Sequence, residues 1–425
     1  MSVAGAAKLS ADTPALDTAA LRRLALRAMG QPAAYGPDID LAAFSRPSER
    51  ERVESLHSLD RQVRESALLV GIDSEEVDRA ASYFQVDYSA IYERVQHAYE
   101  GRIELMTTGA ALRRYEWLRD YWWRAVRVDT DKYTAAAELA QTGGFFLRVF
   151  AHQQVDRPIQ ACLFVQEGNV SQNIHNLIIM EEGATAQLVT GCTLHPRVHT
   201  GLHIGVTEIF LKTGSTLADT MIHSWAEGFH VRPRVAVIAE EASTYVSNYI
   251  LHRPVRSVQA LPRVILRGDG ARAQVHNIIV GLKDAILDIG SRVELFGRNT
   301  RAEAISRALA RDCAKVSLRG LLIGHHSESH AHLDCRGMLL SETAQIHAIP
   351  ELTADGAPRS ELSHEAAVGP VAEEAVEYLM TRGIRRDDAL AILVRGFLHL
   401  DLPGLPEVLA RHIERVLATT AEHSL

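Results

Sequence analysis

Cysteine is scarce in this chain: four residues in 425, at positions 162, 192, 313 and 335, with no C-x-x-C pair among them. So thin and scattered a supply excludes a disulfide framework and fits a reducing cytoplasm. Excess positive charge is missing too. Lys and Arg total 45 against 53 Asp and Glu, a net charge of −8 with a pI near 6.2. That balance argues against a general binder of nucleic acid, whose phosphates call for a basic surface. No run of about 18 apolar residues occurs, so no membrane span is expected. The stretch Met1–Thr18 lacks the basic region and apolar core of a secretory signal. Nucleotide and hydrolase signatures are likewise absent. There is no G-x-x-x-x-G-K-[ST] loop, no G-x-G-x-x-G after a strand, and no G-x-S-x-G elbow. Any ATP-driven step would therefore need a partner.

What is present falls into three textures. The first third, residues 1–142, reads as helical. Asp17 can cap a segment carrying Leu21, Leu24 and Met29, which Gly30 ends. Residues 48–70 carry Val53, Leu56, Leu59, Val63 and Leu69 at near-helical spacing, and residues 110–126 do the same through Leu112, Tyr115, Leu118, Trp122 and Val126. The cluster Trp117, Trp122, Trp123 fits an aromatic helix packed on a larger body.

Over residues 143–365, short runs of Val, Ile, Leu and Thr alternate with period two between Gly, Asn and Asp turns. One phrase recurs: IIMEEGATAQLV, IFLKTGSTLAD, VAVIAEEASTYV, VILRGDGARAQV, VELFGRNTRAEA. A small residue follows each turn, at Ala184, Ser215, Ala242, Ala271 and Thr300, and the beat shifts after Thr300. A nearly constant period of 27 to 31 residues marks stacked units sharing one core. A parallel β-helix fits best, because rungs need small residues at tight corners and aliphatic residues inside. The final texture, residues 366–425, is helical again. Pro370 suits a first helical position, Gly383 a helix end, Asp387 or Asp388 a cap, and a last helix follows Pro406 with Leu409, Ile413 and Val416.

Between His175 and His364 lie 14 of the 20 histidines, and all four cysteines fall between Cys162 and Cys335. Imidazole and thiolate are the usual donors for iron, zinc and copper. The densest run is GHHSESHAHLDC, residues 324–335. On a strand, His326, Glu328, His330, His332 and Asp334 share one face, and Ser327, Ser329, Ala331, Leu333 and Cys335 the other, which looks inward. The polar face is either a metal site or a solvated one. Cys335 is inert if buried in a regular run, and useful only near an open edge or an interface. Gly324-x5-His330-x-His332 matches the opening of the cupin metal motif, but Arg336 and Gly337 stand where its Glu belongs. A second cluster, MIHSWAEGFHVRPR, offers His223, Trp225 and Glu227 as either a ligand set or a packed rung corner. The adjacent His364 and Glu365 point to opposite faces of a regular strand.

Taken in order, NIHNLIIMEEGA with LVTGC, GLHIGVTEIFLKTG, MIHSWAEGFHVRPR, HLDCRGMLLS and ELSHEAAVG…EYLMTRGI…ILVRGF resemble the B/D scaffold family of the Suf iron–sulfur cluster assembly machinery, over about residues 143–398. The compact length is similar to that of the minimal, archaeal-type members. The resemblance implies a mainly β fold, a right-handed parallel β-helix flanked by helical regions. It implies dimerisation through the β-helix, with a copy or a sibling, and C-terminal helices that grip an ABC-type ATPase. It also implies a non-catalytic, cytoplasmic scaffold that holds a transient iron–sulfur cluster. His364 matches the histidine of D-type subunits and Glu365 the adjacent carboxylate of B-type subunits. The B-type cysteine is missing from IPELTAD after Pro350, which leaves Cys335 as the substitute thiol. Expected cluster or metal ligands are thus Cys335, His364 and Glu365. The alternatives are a purely structural D-type subunit and a cupin-like metal enzyme.

Overall fold

In the computed structural model, which describes residues 17–356, 359–400, 402 and 411, the middle of the chain is a parallel β-helix of about eight turns. Each turn gives one strand to a ten-stranded sheet and one to an eleven-stranded sheet. Strands stack in parallel and in strict register. In the first sheet Arg272–Gly281, Arg301–Ala310, His330–Leu339 and Glu361–Pro370 pair residue for residue. The second sheet does the same through Ile286–Leu295, Lys315–Gly324 and Gln345–Ala354. Register of this kind places inward residues in columns, so one aliphatic core runs the length of the stack. The corners explain the sequence beat. Ala184, Ser215, Ser243, Ala271, Thr300 and Ser329 are all completely buried there. Ser243 replaces the expected Ala242, which is exposed with φ +53° in the turn itself. The beat therefore continues past Thr300, and Thr300 Oγ1 lies 3.2 Å from Ser329 Oγ.

The first third departs from the all-helical expectation. Ala81–Val86 and Ser89–Val95 form a hairpin, and Ala81–Val86 adds in parallel to Ile159–Val165. Ile103–Thr107 adds antiparallel to Phe145–Val149. These strands close the N-terminal edges of both sheets. Helices are shorter than the spacing predicted. Residues 48–70 contain only the turn Leu56–Ser58 and the helix Arg61–Leu68, which Asp60 caps. Residues 110–126 hold the end of Thr108–Arg114 and the tight turn Glu116–Asp120. The tryptophans do pack on the β-helix: Trp122 stacks on His175 at 3.6 Å and Trp117 meets Phe146 edge-on. Asp17 caps Thr18–Ala28 as expected. The segment that follows crosses the outer face of the second sheet. Arg319 lies 3.8 Å from the Tyr35 ring, Arg232 donates to the Pro37 carbonyl, and Lys132 pairs with Asp38.

At the other end Pro370 closes the last strand rather than opening a helix. The helix Glu373–Thr381 ends with Gly383 at φ +83°, and Arg386–Leu398 follows with Arg385, not an aspartate, at its cap. Asp387 and Asp388 occupy its first turn, where acidic groups complement the helix dipole. Val394 and Leu398 of this helix are buried with Leu309 and Val280 on the outer face of the first sheet. The helix expected after Pro406 lies outside the described residues. No helix among the described residues is long and apolar enough to cross a membrane.

Two buried carboxylates show how the stack tolerates charge. Glu208 accepts from the backbone N–H groups of Trp123, Ala125 and Val126 at 2.7, 2.6 and 3.0 Å, and its Oε2 lies 2.9 Å from His175 Nε2. It thereby ties the N-terminal region to the solenoid. Asp219 faces the interior, where Tyr245 donates to one oxygen at 3.2 Å and the other has no partner. Burial pushes its carboxyl up to about 7, against the Tyr245 hydrogen bond. Glu208→Ala strands three backbone donors and a buried histidine, so urea unfolding should show a loss of about 3–5 kcal/mol. The raised Asp219 carboxyl contributes stability that is complete below the unfolded value near 4 and is lost as pH rises toward 7. Asp219→Asn should therefore gain on wild type by up to about 1.4 kcal/mol per pH unit across that window. A pH-independent difference in urea midpoints would contradict this assignment.

Candidate functional site

The C-terminal end of the β-helix differs from the N-terminal end in being open. Gln345–Ala354 and Glu361–Pro370 each pair on one side only, which leaves two ten-residue edges without partners among the described residues. Their inward faces are also uncovered: Leu352 is 38% and Val368 41% exposed. His364 stands on this last turn. It is exposed, in register with the buried Leu333, and so belongs to an inward column.

Cys335 lies one turn further in. Its strand is regular, and the thiol is inward and 1% exposed, opposite Ser306 below and Ala366 above. Burial, chiefly, and the neighbouring Asp334 push it up to about 11, opposed by Arg307 and a hydrogen bond with Ser306. The thiol is thus protonated and a poor nucleophile as it stands, yet only one turn from the open end. Glu365 sits on the outer face in register with Asp334, where Arg336 donates to it at 3.0 Å; Arg336 also bonds Asp334, which pairs with Arg307. The expected trio is therefore divided. Cys335 and His364 share the inward face on adjacent turns, and Glu365 belongs to an ion-pair ladder behind them. Among the described residues, no group of three or more His, Cys, Asp or Glu is placed to hold a metal ion as the side chains stand.

A line of interior polar residues escaped the sequence reading. Stepping inward from Cys335 by one turn at a time, the same column holds Ser306, Asn277 and Tyr249. Asn277 donates to Ser306 at 3.1 Å, and His223 Nδ1 lies 3.0 Å from the Tyr249 hydroxyl. Cys192 is in register with His223. Next to them His203 donates from Nδ1 to Gln172 at 2.9 Å and tilts against Trp225. Every titratable group here is held neutral. Burial lowers His203 to about 3 and His223 well below its usual range, and raises the Cys192 thiol and the Tyr249 hydroxyl. The signal was a spacing of 28 to 29 residues between Tyr249, Asn277, Ser306 and Cys335. For the MIHSWAEGFHVRPR segment the packed reading is the right one: Trp225 stacks on Phe229 at 4.6 Å, and Glu227 leaves the strand for solvent. The cupin alternative fails on topology, since cupins are double-sheet jelly rolls and these strands stack in parallel.

Comparison with known proteins agrees with this architecture. Residues 163–397 match the family described as SUF system FeS cluster assembly, SufBD core domain. An iron–sulfur cluster assembly SufBD family protein of Methanothermobacter thermautotrophicus is 44% identical over 397 residues, 92% of this chain and 96% of the relative. One from Archaeoglobus fulgidus is 42% identical over 82% of this chain and 92% of its own length. The iron–sulfur cluster assembly protein SufB of Bacillus subtilis is 26% identical over 91% of this chain and 83% of its own. With more than half of the chain matched and archaeal relatives of this similarity aligned nearly end to end, the protein belongs to the SufBD family of iron–sulfur cluster assembly proteins.

Proposed function

We propose that this chain is a non-catalytic scaffold subunit of a Suf-type complex, working in a reducing cytoplasm. Cys335 and His364 bind the nascent iron–sulfur cluster, with Glu365 as an accessory carboxylate. One observation carries the reading. The two soft donors share the inward face of adjacent turns, at the end of the solenoid where strand edges and apolar faces stand open. An unpaired parallel edge invites another strand, which supports pairing with a copy or a sibling subunit. Thiolate is the preferred ligand of iron–sulfur clusters, and imidazole a more labile one, which suits a cargo that must be released.

The closed state of Cys335 implies that the thiol is uncovered by motion. The energy source is a partner ATPase of the ABC type, since the chain has no phosphate-binding loop. The helices Glu373–Thr381 and Arg386–Leu398 suit its docking. One side is anchored by Val394 and Leu398, and the other presents Tyr378, Met380 and Ile392 at 58%, 43% and 44% exposure. A second reading, a D-type subunit that only stabilises the complex, is favoured by the burial of Cys335 alone. Anaerobic reconstitution with iron and sulfide separates the two. Cys335→Ala and His364→Ala should each remove most of the cluster absorbance of the assembled complex. Glu365→Ala, on the opposite face, should remove less than either. Unchanged absorbance in the first two variants would overturn the site, and colour only in a sibling subunit would favour the structural reading.

A further inference from the structure

The outer face of the last turns carries a second set of donors that the cluster site does not use. His330 and His332 alternate on one strand, so both side chains leave the same face, separated by two residues or roughly 6.5–7 Å of strand. Each ring is fixed through Nδ1. The His330 Nδ1–H donates to the Glu361 carboxylate at 3.0 Å, and His332 Nδ1 lies 2.9 Å from Ser363 Oγ. Both partners come from the next turn. Neither Nε2 has a partner among the described residues, and both rings are partly exposed. A histidine held by one nitrogen, with the other free and facing solvent, is the usual posture of a metal-binding imidazole.

The third donor comes from the turn below. Glu303 is in register with His332, about one strand spacing of ~4.8 Å away. Its carboxylate is partly exposed and has no hydrogen bond or ion pair among the described residues. Arg336 and Gly337 stand where a cupin motif would place its carboxylate, but stacking supplies one from 29 residues upstream. Arg301, in register with His330, is the cation nearest the pair; Arg272 lies one turn further down, and Arg307 and Arg336 on the same face are engaged by Asp334. The Arg301 side chain is exposed, so solvent screens it and leaves it free to swing away.

We propose that His330, His332 and Glu303 form a surface site for a divalent first-row transition-metal ion, a two-histidine, one-carboxylate set with open positions toward solvent. Imidazole nitrogen with one carboxylate suits iron(II), cobalt(II), nickel(II) and zinc(II), and not magnesium or calcium. As the side chains stand no three such groups among the described residues are placed to hold an ion; Glu303 closes the site by rotation about its outer bonds, with the rings kept on Glu361 and Ser363 and no change in the strands. The site is independent of Cys335 and His364, which lie on the inward face of the same sheet.

Calorimetric titration of the metal-free full chain with Co²⁺, and separately with Zn²⁺, tests the assignment. One strong equivalent per chain is expected, with no comparable heat from Mg²⁺. His330→Ala/His332→Ala should abolish it. Glu303→Gln should weaken it, and Ser363→Ala should weaken it by about tenfold through loss of the ring's support. Arg301→Gln should strengthen it. Cys335→Ala/His364→Ala should leave it unchanged, which separates failure of this site from failure of the cluster site. All the substituted positions except Cys335 are at the surface, and unaltered far-UV circular dichroism would confirm that the variants are folded. Binding that survives in the double-histidine variant, or that disappears in Cys335→Ala/His364→Ala, would overturn the proposal.

Discussion

Rung-to-rung backbone pairing governs this molecule. Parallel strands stacked in strict register convert a sequence period of about 29 residues into columns of side chains. Within a column, a residue meets only its counterparts one turn above and below. This is why small residues recur at buried corners from Ala184 to Ser329, and why the interior can be aliphatic in one column and polar in the next. A slip of one residue would exchange the inward and outward faces of a strand. Cys335 would then face solvent, and His330 and His332 would enter the core.

The two ends of the stack are finished differently. At the N-terminal end, Ala81–Val86 and Ile103–Thr107 close the sheet edges, while Glu208 satisfies a turn that would otherwise bury three unpaired N–H groups. At the C-terminal end the last strands expose both edge and inward face. Unpaired edges are hazards that proteins normally cover. Among the described residues one such edge stands open beside a thiol and an imidazole, and the pairing proposed above would cover it. The chemistry follows from the same geometry: donors near the open end are accessible or nearly so, and those deeper in are neutral and dry.

Much of this was legible in the residues. Period-two alternation under a 27–31-residue beat pointed to a stacked parallel architecture, and the alternation of HAHLDC correctly assigned Cys335 inward and His330 and His332 outward, whereas His326 and Glu328, expected on the same strand, lie in the turn before it. The N-terminal strands were missed although Tyr83, Phe84, Val86, Ile91, Tyr92 and Val95 have strand character. The hairpin they form is held on the stack only through Ala81–Val86, whose parallel partner lies 78 positions away, and short strands gain stability from such partners. The long helices expected over residues 48–70 and 110–126 failed for a related reason. Leu56 and Trp122 are placed by contacts with the sheets, not by helical periodicity.

The sequence by itself determined the solenoid, its small buried corners, its family and the facing of individual side chains, because all of these follow from local alternation and a short repeat. Only the tertiary structure decided which residues meet. It separated Glu365 from Cys335 and His364, aligned Tyr249, Asn277, Ser306 and Cys335 into one interior line, and brought Glu303 beneath His332. Those pairings join residues a full turn apart, and they depend on a register that is fixed by hydrogen bonds between turns and written in no single stretch of chain.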